Sequence, residues 1–305
     1  SVLVSILTSF NENLTYLTYT SIIGQIEHNF KYEIVIIVNS LYKEYYEKVV
    51  NKFIGLDVKI VETQSNGKPG MGHNSVINYF RENSIYDYLV PIDGDDFLPK
   101  DATQYLLNIA KKYKVKLVFG MSKRLKDIPN KITHISNEEL HLNSLEFCLK
   151  KSIVHMGFLV SKDLWSRSEG ADEKVFIQDI SLPMRLAAHS NSLVYANSII
   201  YYLRDESDSN LSNNTDQQHH DRYLSYLNLL KASSTELSST SVASIHAQLI
   251  SSIWKIKRDN SKLAMFSKNF ILYAANKFFG YQLNEKQQAI WSDYFNNLDS
   301  IRRPT

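Results

Sequence analysis

Continuous apolar runs alternate with helical patterns through the first 120 residues of the chain. The clearest run, EIVIIVN (33–39), contains five consecutive β-branched apolar residues, and VLVSILT (2–8), VKIVET (58–63) and YDYLVPI (86–92) are similar. Each run is followed by a sequence that is typical of a helix. Strands without polar alternation are usually buried on both faces, as in parallel sheets that helices cover on both sides. The sequence therefore predicts an α/β fold with a mostly parallel sheet flanked by helices.

The pattern changes beyond the polar stretch RDESDSNLSNNTDQQ (204–218), in which Leu211 is the only apolar residue. Apolar residues then recur every three or four positions, which is typical of amphipathic helices. The first series is Val242, Ile245, Leu249, Ile253 and Ile256, and the second is Leu263, Phe266, Phe270, Ala274 and Phe278. We expect an α/β domain over residues 1–210 and a C-terminal helical region over residues 211–305.

Composition narrows the class of protein. The net charge of +2 over 305 residues argues against a nucleic-acid partner. Cys148 is the only cysteine, so no internal disulfide forms, and a reducing compartment is expected. No apolar run approaches the roughly 20 residues that span a bilayer. The N-terminal SVLVSILTSF has no basic leader and no cleavage site, and it predicts a strand rather than a signal peptide. We therefore expect a cytoplasmic protein without a transmembrane segment.

Three carboxylates follow the fourth strand directly, in the segment YLVPIDGDDFLPKDA (88–102). Only Gly94 separates Asp93 from Asp95 and Asp96, and carboxylates packed this closely repel unless a cation lies beside them. Ligands of parallel sheets bind beyond the carboxyl ends of the strands. Carboxylate oxygens suit Mg²⁺ or Mn²⁺, and such an ion clamps a diphosphate. A solvated turn is the alternative, because DGDD also has good turn chemistry.

Four segments occur in a characteristic order: VSILTSFNEN, IVIIVNS, QSNGKPGMGHNSVI and LVPIDGDDFLPKDA. Together they resemble the inverting, family 2-like glycosyltransferases with the GT-A fold, over roughly residues 1 to 190. The resemblance implies transfer of a sugar from a nucleotide-diphosphate donor, with a UDP-sugar favoured. The acceptor would be a hydroxyl of a glycan or a lipid-linked glycan, and Mn²⁺ or Mg²⁺ would be the cofactor.

The resemblance also implies roles for individual residues. The expected donor-nucleotide residues are Ser9, Phe10, Asn11, Glu12, Asn39, Asn66, His73 and Asp93, with Asp95 as the metal ligand and Asp96 as support for its loop or a contact to the sugar. Three of these positions depart from the family pattern or have a simpler structural explanation. Asn11 is also a candidate helix cap, Asn39 replaces an Asp and could end its strand in a turn, and His73 replaces an Arg.

The segment VFIQDISLPMRLAAH (175–189) contains the candidate general base. By resemblance Asp179 would take the proton of the acceptor hydroxyl, with Gln178 and Arg185 as supporting residues. The alternative is structural: Pro183 belongs in the first turn of a helix, which predicts a start near Ile180 and Asp179 as the N-cap. Trp165 and the pair Met156–Gly157 are candidates for the acceptor site, and a core role for Trp165 is equally compatible with the sequence.

Two further clusters are left open. Arg204 is a candidate phosphate contact, although Asp205 and Glu206 stand where the family has a His. His219 and His220 either join the metal site or form the polar start of a helix.

Two rival functions remain beside the glycosyltransferase. One is an Asp-based phosphatase, and the other is a GT-A-like carbohydrate-binding module without turnover. The helical region is expected to form part of the acceptor site, a homodimer contact or a peripheral membrane contact. Its cations Lys255, Lys257, Arg258, Lys262 and Lys268 allow the last of these, and a solvated helix face is the simpler explanation.

Overall fold

The computed structural model describes residues 1–24, 29–40, 42–63, 67–82, 85–125, 137–151, 153, 155–204, 215–233, 237–260, 263–280 and 284–296. The chain forms two compact units. The first comprises Ser1–Ser144 and Val154–Glu206, and the second comprises Leu145–Ile153 and Ser207–Thr305. The short segment 145–153 groups with the helical unit.

An eight-stranded sheet forms the centre of the first unit, in the order β3-β2-β1-β4-β7-β5-β8-β6. The strands are β1 Val2–Thr8, β2 Tyr32–Val38, β3 Lys59–Glu62, β4 Tyr88–Asp93, β5 Leu117–Leu125, β6 Glu138–His141, β7 Leu159–Ser161 and β8 Leu193–Arg204. Strands β6 and β7 pair antiparallel to their neighbours, and the other pairs are parallel. The predicted mostly parallel sheet is thus confirmed.

Helices flank this sheet and form most of the second unit. They are α1 Glu12–Ile23, α2 Lys43–Lys52, α3 Pro69–Glu82, α4 Ala102–Tyr113, α5 Ser144–Lys151, α6 Lys162–Arg167, α7 Gln178–Ala188, α8 Thr215–Ser233, α9 Ser239–Asn260, α10 Lys268–Phe279 and α11 Glu285–Asn296. A short 3₁₀ turn, Ala264–Phe266, precedes α10. In the described ranges, no helix has the length and apolarity needed to cross a membrane.

The register of the central strands brings their carboxyl ends to one edge of the sheet. Thr8 at the end of β1 lies beside Val38 of β2, and Leu7 lies beside Asp93 of β4. The middles of β1, β2 and β4 are buried, because helices cover both faces of the sheet. The residues that follow β1, β2 and β4 therefore meet at the same edge.

Helix α3 begins earlier than the sequence predicted. The Gly-rich stretch NGKPGMGHN was expected to lead into the helix, but the helix starts at Pro69, a favourable first position for proline. A Cβ on Gly72 would lie 2.7 Å from both Leu7 Cδ1 and Asn39 Nδ2. A Cβ on Gly70 would lie 2.8 Å from the Asp172 carbonyl oxygen. These glycines therefore permit close packing within a helix rather than a turn before it.

Helix α7 also differs from the prediction of a start near Ile180 with Asp179 as N-cap, which is wrong. The helix begins at Gln178, the N-cap position is occupied by Ile177 without a side-chain cap bond, and Asp179 lies in the first turn. The physical reason is Gln178, whose buried amide donates to the carbonyl oxygens of Asp172 at 2.7 Å and Val175 at 2.8 Å. These bonds fix the backbone at Gln178, so the helix begins before Ile180.

The first apolar series of the second unit is buried in α9, with Ile245 and Leu249 fully enclosed. Helix α11 packs on α9, and the Tyr223 hydroxyl of α8 donates to the Phe295 carbonyl oxygen at 3.1 Å. The second series forms the 3₁₀ turn and α10 rather than one helix, and α10 contains no buried residue.

Gly157 occupies one of the tightest places in the first unit. Its N–H donates to the Pro91 carbonyl oxygen of β4 at 2.7 Å, and its φ is +75°. A Cβ at this position would lie 2.1 Å from Cδ2 of the buried Tyr201 ring. The absence of a side chain is what allows β8 and the segment before β7 to meet.

We expect Gly157→Ala to lower the free energy of unfolding by at least about 2 kcal/mol, because the cost of a positive φ and the cost of the clash add up. Gly55→Ala is the matched control, because Gly55 has a φ of +78° and open space around it. That control should lose only about 1 kcal/mol. Urea unfolding of wild type, Gly157→Ala and Gly55→Ala measures the free energy that each variant loses. Equal losses in the two variants would contradict the packing explanation.

Candidate active site

The loop that carries the three carboxylates is fixed to the end of β1. The Gly94 N–H donates to the Leu7 carbonyl oxygen at 2.7 Å. A Cβ on Gly94 would lie 2.8 Å from that oxygen and 2.9 Å from Thr8 Cβ. Glycine between the aspartates is therefore required by packing, and it lets the acidic loop pass directly over the end of β1.

The same loop is fixed to β8 on its other side. Phe97 and Tyr202 exchange backbone hydrogen bonds of 3.0 and 2.9 Å. The Arg204 N–H donates to Asp96 Oδ1 at 2.8 Å, and the buried Tyr201 hydroxyl accepts from the Asp93 N–H at 3.2 Å and also hydrogen-bonds the Asp96 carboxylate. Asp96 is thus part of the framework, whereas Asp93 and Asp95 are only half-buried.

Burial and, after it, repulsion from neighbouring carboxylates both disfavour negative charge on this loop. Burial raises the pKa of Asp93 well above its usual value, and the negative charges of Asp96, Asp95 and Asp179 raise it further. Burial and the Asp95 charge raise the pKa of Asp96 to about 7, although the Arg204 N–H and the Tyr201 hydroxyl oppose that shift. Asp93 keeps 36% of its side chain exposed, so an ion can reach it. Protonation, or a cation beside these carboxylates, would relieve the repulsion.

Asp179 reaches the same edge of the sheet from a different helix, since its negative charge acts on Asp93. The neighbouring Gln178 fixes the start of α7 through its two bonds to the preceding loop. Asn74 of α3 holds that loop as well, because its amide group donates to the Ala171 carbonyl oxygen at 2.9 Å and accepts from the Ala171 N–H at 2.8 Å. The carboxylate of Asp179 is thereby held beside the acidic loop.

His73 lies under this cluster rather than on its surface. It is buried, and its Nε2 is 3.7 Å from Asp93 Oδ1. Burial lowers the pKa of His73 to about 4, so the imidazole is neutral at pH 7. It faces Asp93 as an uncharged ring, and the arrangement fits a structural histidine.

Asn39 is engaged on both ends of its amide. Its Nδ2 donates to the Lys68 carbonyl oxygen at 3.1 Å, and its Oδ1 accepts from the Thr63 hydroxyl at 3.2 Å. The side chain is buried. These bonds connect the end of β2 to Thr63 and to Lys68, the residue just before α3. Asn39 thus has a structural role here.

The turn after β1 contains a residue with a structural role and residues that are exposed to solvent. Asn11 is the N-cap of α1, with its Oδ1 accepting from the Asn13 and Leu14 N–H groups at 3.0 and 3.1 Å. Glu12 begins that helix, and Ser9 and Phe10 are exposed at the edge of the sheet. Asn66, the remaining expected nucleotide contact, lies outside the described residues.

The other expected supporting residues brace the framework. Arg185 donates through Nε to the Gly170 carbonyl oxygen at 2.9 Å and through Nη2 to the Ser168 carbonyl oxygen at 3.0 Å. Trp165 is fully buried, so the core role describes what the structure shows. Arg204 places its guanidinium 5.6 Å from the centre of the Phe97 ring. Asp205 and Glu206 lie outside the described residues.

Sequence reasoning assigned no role to Tyr201 and Asn74. Tyr201 sits within an apolar strand, and nothing in the local pattern distinguishes it from a core tyrosine. Asn74 belongs to the segment QSNGKPGMGHNSVI, which is one of the four segments that carry the family resemblance. That resemblance is the signal that could have pointed to Asn74. His219 and His220 belong to the second unit, where His219 Nε2 lies 3.4 Å from Asp259 Oδ2.

We expect Asp96→Asn to stabilise the protein more at pH 8 than at pH 5. The raised pKa of Asp96 means that its protonated form stabilises the fold at low pH and that this stability is lost as the pH rises from about 4 towards 7. The uncharged variant does not lose it, so its advantage over wild type should grow by about 2 kcal/mol between the two pH values.

Urea unfolding of wild type and variant at both pH values measures this change. Asp163→Asn is the control, because a hydrogen bond from Lys116 lowers the pKa of Asp163 and keeps its titration below this pH range. An Asp96→Asn advantage that does not depend on pH would contradict the assigned repulsion.

No curated protein matches the sequence of this chain. Among solved structures, Staphylococcus aureus TarS 1-349 has a TM-score of 0.63 at 13% identity, covering 95% of this chain and 83% of TarS 1-349. The same protein in complex with UDP-GlcNAc has a TM-score of 0.62 at 14% identity, covering 95% and 78%.

A third similar structure is the mannosyltransferase PcManGT from Pyrobaculum calidifontis in complex with GDP-Man and Mn²⁺. It has a TM-score of 0.60 at 11% identity, covering 97% of this chain and 84% of its own. At these identities the likeness establishes the GT-A-like fold. Residues 4–165, just over half of the chain, match the family described as Glycosyl transferase family 2. The chain therefore belongs to glycosyl transferase family 2 and is a glycosyltransferase.

Proposed function

We propose that this glycosyltransferase moves a sugar from a nucleotide-diphosphate donor, with UDP-sugars favoured, to a hydroxyl of a glycan or lipid-linked acceptor, with inversion at the anomeric carbon. The observation that carries the proposal is the convergence of Asp179 with the acidic loop at the carboxyl edge of the sheet. Two kinds of carboxylate meet there: a loop that attracts positive charge, and a separate carboxylate at the start of a helix. A metal-assisted sugar transfer with a general base requires this combination.

The donor set fits a divalent cation. Asp93 and Asp95 offer carboxylate oxygens, which Mg²⁺ and Mn²⁺ prefer. The negative charges of Asp95, Asp96 and Asp179 that help to raise the pKa of Asp93 support this choice, because a cation would offset them. In the described residues no three His, Cys, Asp or Glu side chains gather into a complete metal site. That agrees with Mg²⁺-type sites in which one or two carboxylates hold the ion and substrate phosphates fill other positions. Such an ion would neutralise charge on the departing diphosphate.

Within this proposal Asp95 would hold the ion, and Asp93 would contact the donor nucleotide. Asp96 keeps its loop in place through Arg204 and Tyr201. The fold relatives support the donor class, since TarS is described in complex with UDP-GlcNAc and PcManGT with GDP-Man and Mn²⁺. Ser9 and Phe10 present exposed side chains and backbone beside the acidic loop for the nucleotide.

Asp179 removes the proton from the acceptor hydroxyl. The acceptor oxygen then forms the new bond to the anomeric carbon from the face opposite the diphosphate, while the bond to the diphosphate oxygen breaks. The first turn of α7 favours the charged form of a carboxylate, which keeps Asp179 ready to accept the proton. Gln178 and Arg185 act through position, since they fix the start of α7 and the loop before it.

We expect Asp179→Asn to lower kcat by a factor of about 10² to 10⁴ and to leave donor affinity unchanged, because the variant keeps the side-chain shape and loses the proton acceptor. Asp172→Asn is the matched control. Its side chain accepts from the Lys174 N–H in the same loop, and asparagine can keep that bond. The measurement is nucleotide release from a panel of UDP-, GDP- and dTDP-sugars with Mn²⁺, together with donor binding by calorimetry.

Full activity of Asp179→Asn would contradict the assignment of the base. Donor binding without turnover in wild type, unchanged by Asp179→Asn, would instead support a binding module with this fold. Phosphate release from a generic phosphoester would favour the phosphatase alternative. Membership of glycosyl transferase family 2 argues against that alternative.

A further inference from the structure

Helix α10 of the second unit presents an apolar stripe to solvent. The stripe consists of Ile271, Ala275, Phe278 and Phe279, which recur at the spacing of one helix face. The side chains of Ile271, Phe278 and Phe279 are 64%, 81% and 87% exposed. Large apolar side chains clustered in this way on a surface mark a site of association.

The opposite side of α10 is already packed. The rings of Phe270 and Tyr273 lie 5.0 and 5.9 Å from the Trp254 ring of α9, measured between centroids. The Asn276 side chain donates to the Ala247 carbonyl oxygen at 3.5 Å. Helix α10 is therefore docked on α9 through one face, and the stripe is the face that points away from this contact.

The segment before α10 extends the apolar surface. Leu263, Met265 and Phe266 are each at least 59% exposed. Together with the stripe they form the α10 surface, defined as Leu263, Met265, Phe266, Ile271, Ala275, Phe278 and Phe279. A helix with such a face and cations around it lies in the interface of a bilayer, with its apolar side chains among the acyl chains.

The chain around the α10 surface is strongly basic. The cations between residues 255 and 279 are Lys255, Lys257, Arg258, Lys262, Lys268 and Lys277, against the single carboxylate Asp259. Lys268 lies one turn before Ile271 and is exposed beside the stripe. Burial lowers the pKa of Lys255, and the nearby charges of Arg222, Arg258 and Lys277 lower it further. The cations of α8, α9 and α10 thus converge in one part of the unit.

The charges around the α10 surface distinguish two candidate partners, a second copy of this chain and an anionic bilayer. In a two-fold dimer the same surface would face itself, and Lys268 would approach cations of the second copy. Helix α10 contains no acidic residue that could pair with them. An anionic bilayer satisfies both features, because acyl chains take up the apolar side chains and lipid phosphates attract the cations.

We propose that the α10 surface and its surrounding cations dock the protein on an anionic lipid bilayer. The helix lies in the interface and does not cross it. The inference stands independently of the catalytic proposal, because membrane binding is measured without donor, acceptor or metal.

The test is co-sedimentation of the full chain with vesicles of phosphatidylcholine alone and of phosphatidylcholine mixed with phosphatidylglycerol. We expect binding to the anionic vesicles only, and weaker binding as salt rises. Phe278→Gln combined with Phe279→Gln should weaken binding by at least about tenfold, because both side chains lose their burial among the lipids. Lys268→Gln should weaken it by about fivefold.

Matched controls remove the same chemistry elsewhere. Ile54 and Leu142 of the first unit are 72% and 74% exposed, so Ile54→Gln combined with Leu142→Gln should leave binding unchanged. Lys43→Gln on α2 is the control for charge. Because every substituted side chain is exposed, the variants should keep the melting temperature of wild type.

Three results would overturn the proposal. The first is no binding to either vesicle, and the second is equal binding to neutral and anionic vesicles. The third is a dimer in analytical ultracentrifugation that the Phe278→Gln and Phe279→Gln variant loses, since a second copy would then be the occupant of the surface.

Discussion

Repulsion among carboxylates at the carboxyl edge of the sheet is the constraint around which the first unit is organised. Asp93, Asp95 and Asp96 are adjacent in the chain, and Asp179 adds a fourth negative charge from α7. Like charges in a partly buried place would drive these groups apart if their backbone were free. The backbone is instead fixed to β1 at Gly94 and to β8 at Phe97. The fold therefore maintains a negative potential that only protons or a cation can relieve.

The groups that hold this arrangement are mostly uncharged. Tyr201 uses a buried hydroxyl to contact the backbone of Asp93 and the carboxylate of Asp96, and Gly157 makes room for its ring. On the other side of the site, Gln178 and Asn74 fix the loop before α7 through carbonyl oxygens and an N–H. Neutral partners position carboxylates without neutralising them, so the charge remains available to a ligand.

Sequence patterns predicted those elements whose signal is local. The segment ATQYLLNIAKKY (102–113) has a helical pattern, and helix α4 is observed over Ala102–Tyr113. The strand-like segment SLVYANSIIYYL (192–203) differs by one residue at each end from β8, Leu193–Arg204. The acidic loop was placed at the edge of the sheet because it follows a continuous apolar strand. The reason for the glycines of α3 was not predictable, since it depends on the approach of Leu7, Asn39 and Asp172 from other parts of the chain. The role proposed for Asp179 comes from family resemblance, because nothing in its own segment predicts that its charge acts on Asp93.

The helical unit gives a second example of what a sequence pattern cannot predict. Periodicity predicted that α10 has an apolar face, but periodicity does not say what covers that face. The structure shows that its aromatic residues Phe270 and Tyr273 pack on Trp254 while the stripe with Phe278 and Phe279 stays exposed. One sequence pattern thus contributes both to the packing of α10 on α9 and to the exposed surface of the unit.

The central claim is that a divalent cation and a nucleotide diphosphate together relieve the repulsion at the acidic loop. Thermal unfolding with Mn²⁺ alone, UDP alone and both together, on wild type and Asp95→Asn, tests it most directly. The account predicts that the pair raises the melting temperature of wild type well beyond the sum of the separate effects, since a ligand that binds only the native state stabilises it. It also predicts that Asp95→Asn loses this joint effect while Asp163→Asn keeps it. Equal responses of wild type and Asp95→Asn would contradict the claim and leave the acidic loop as a turn.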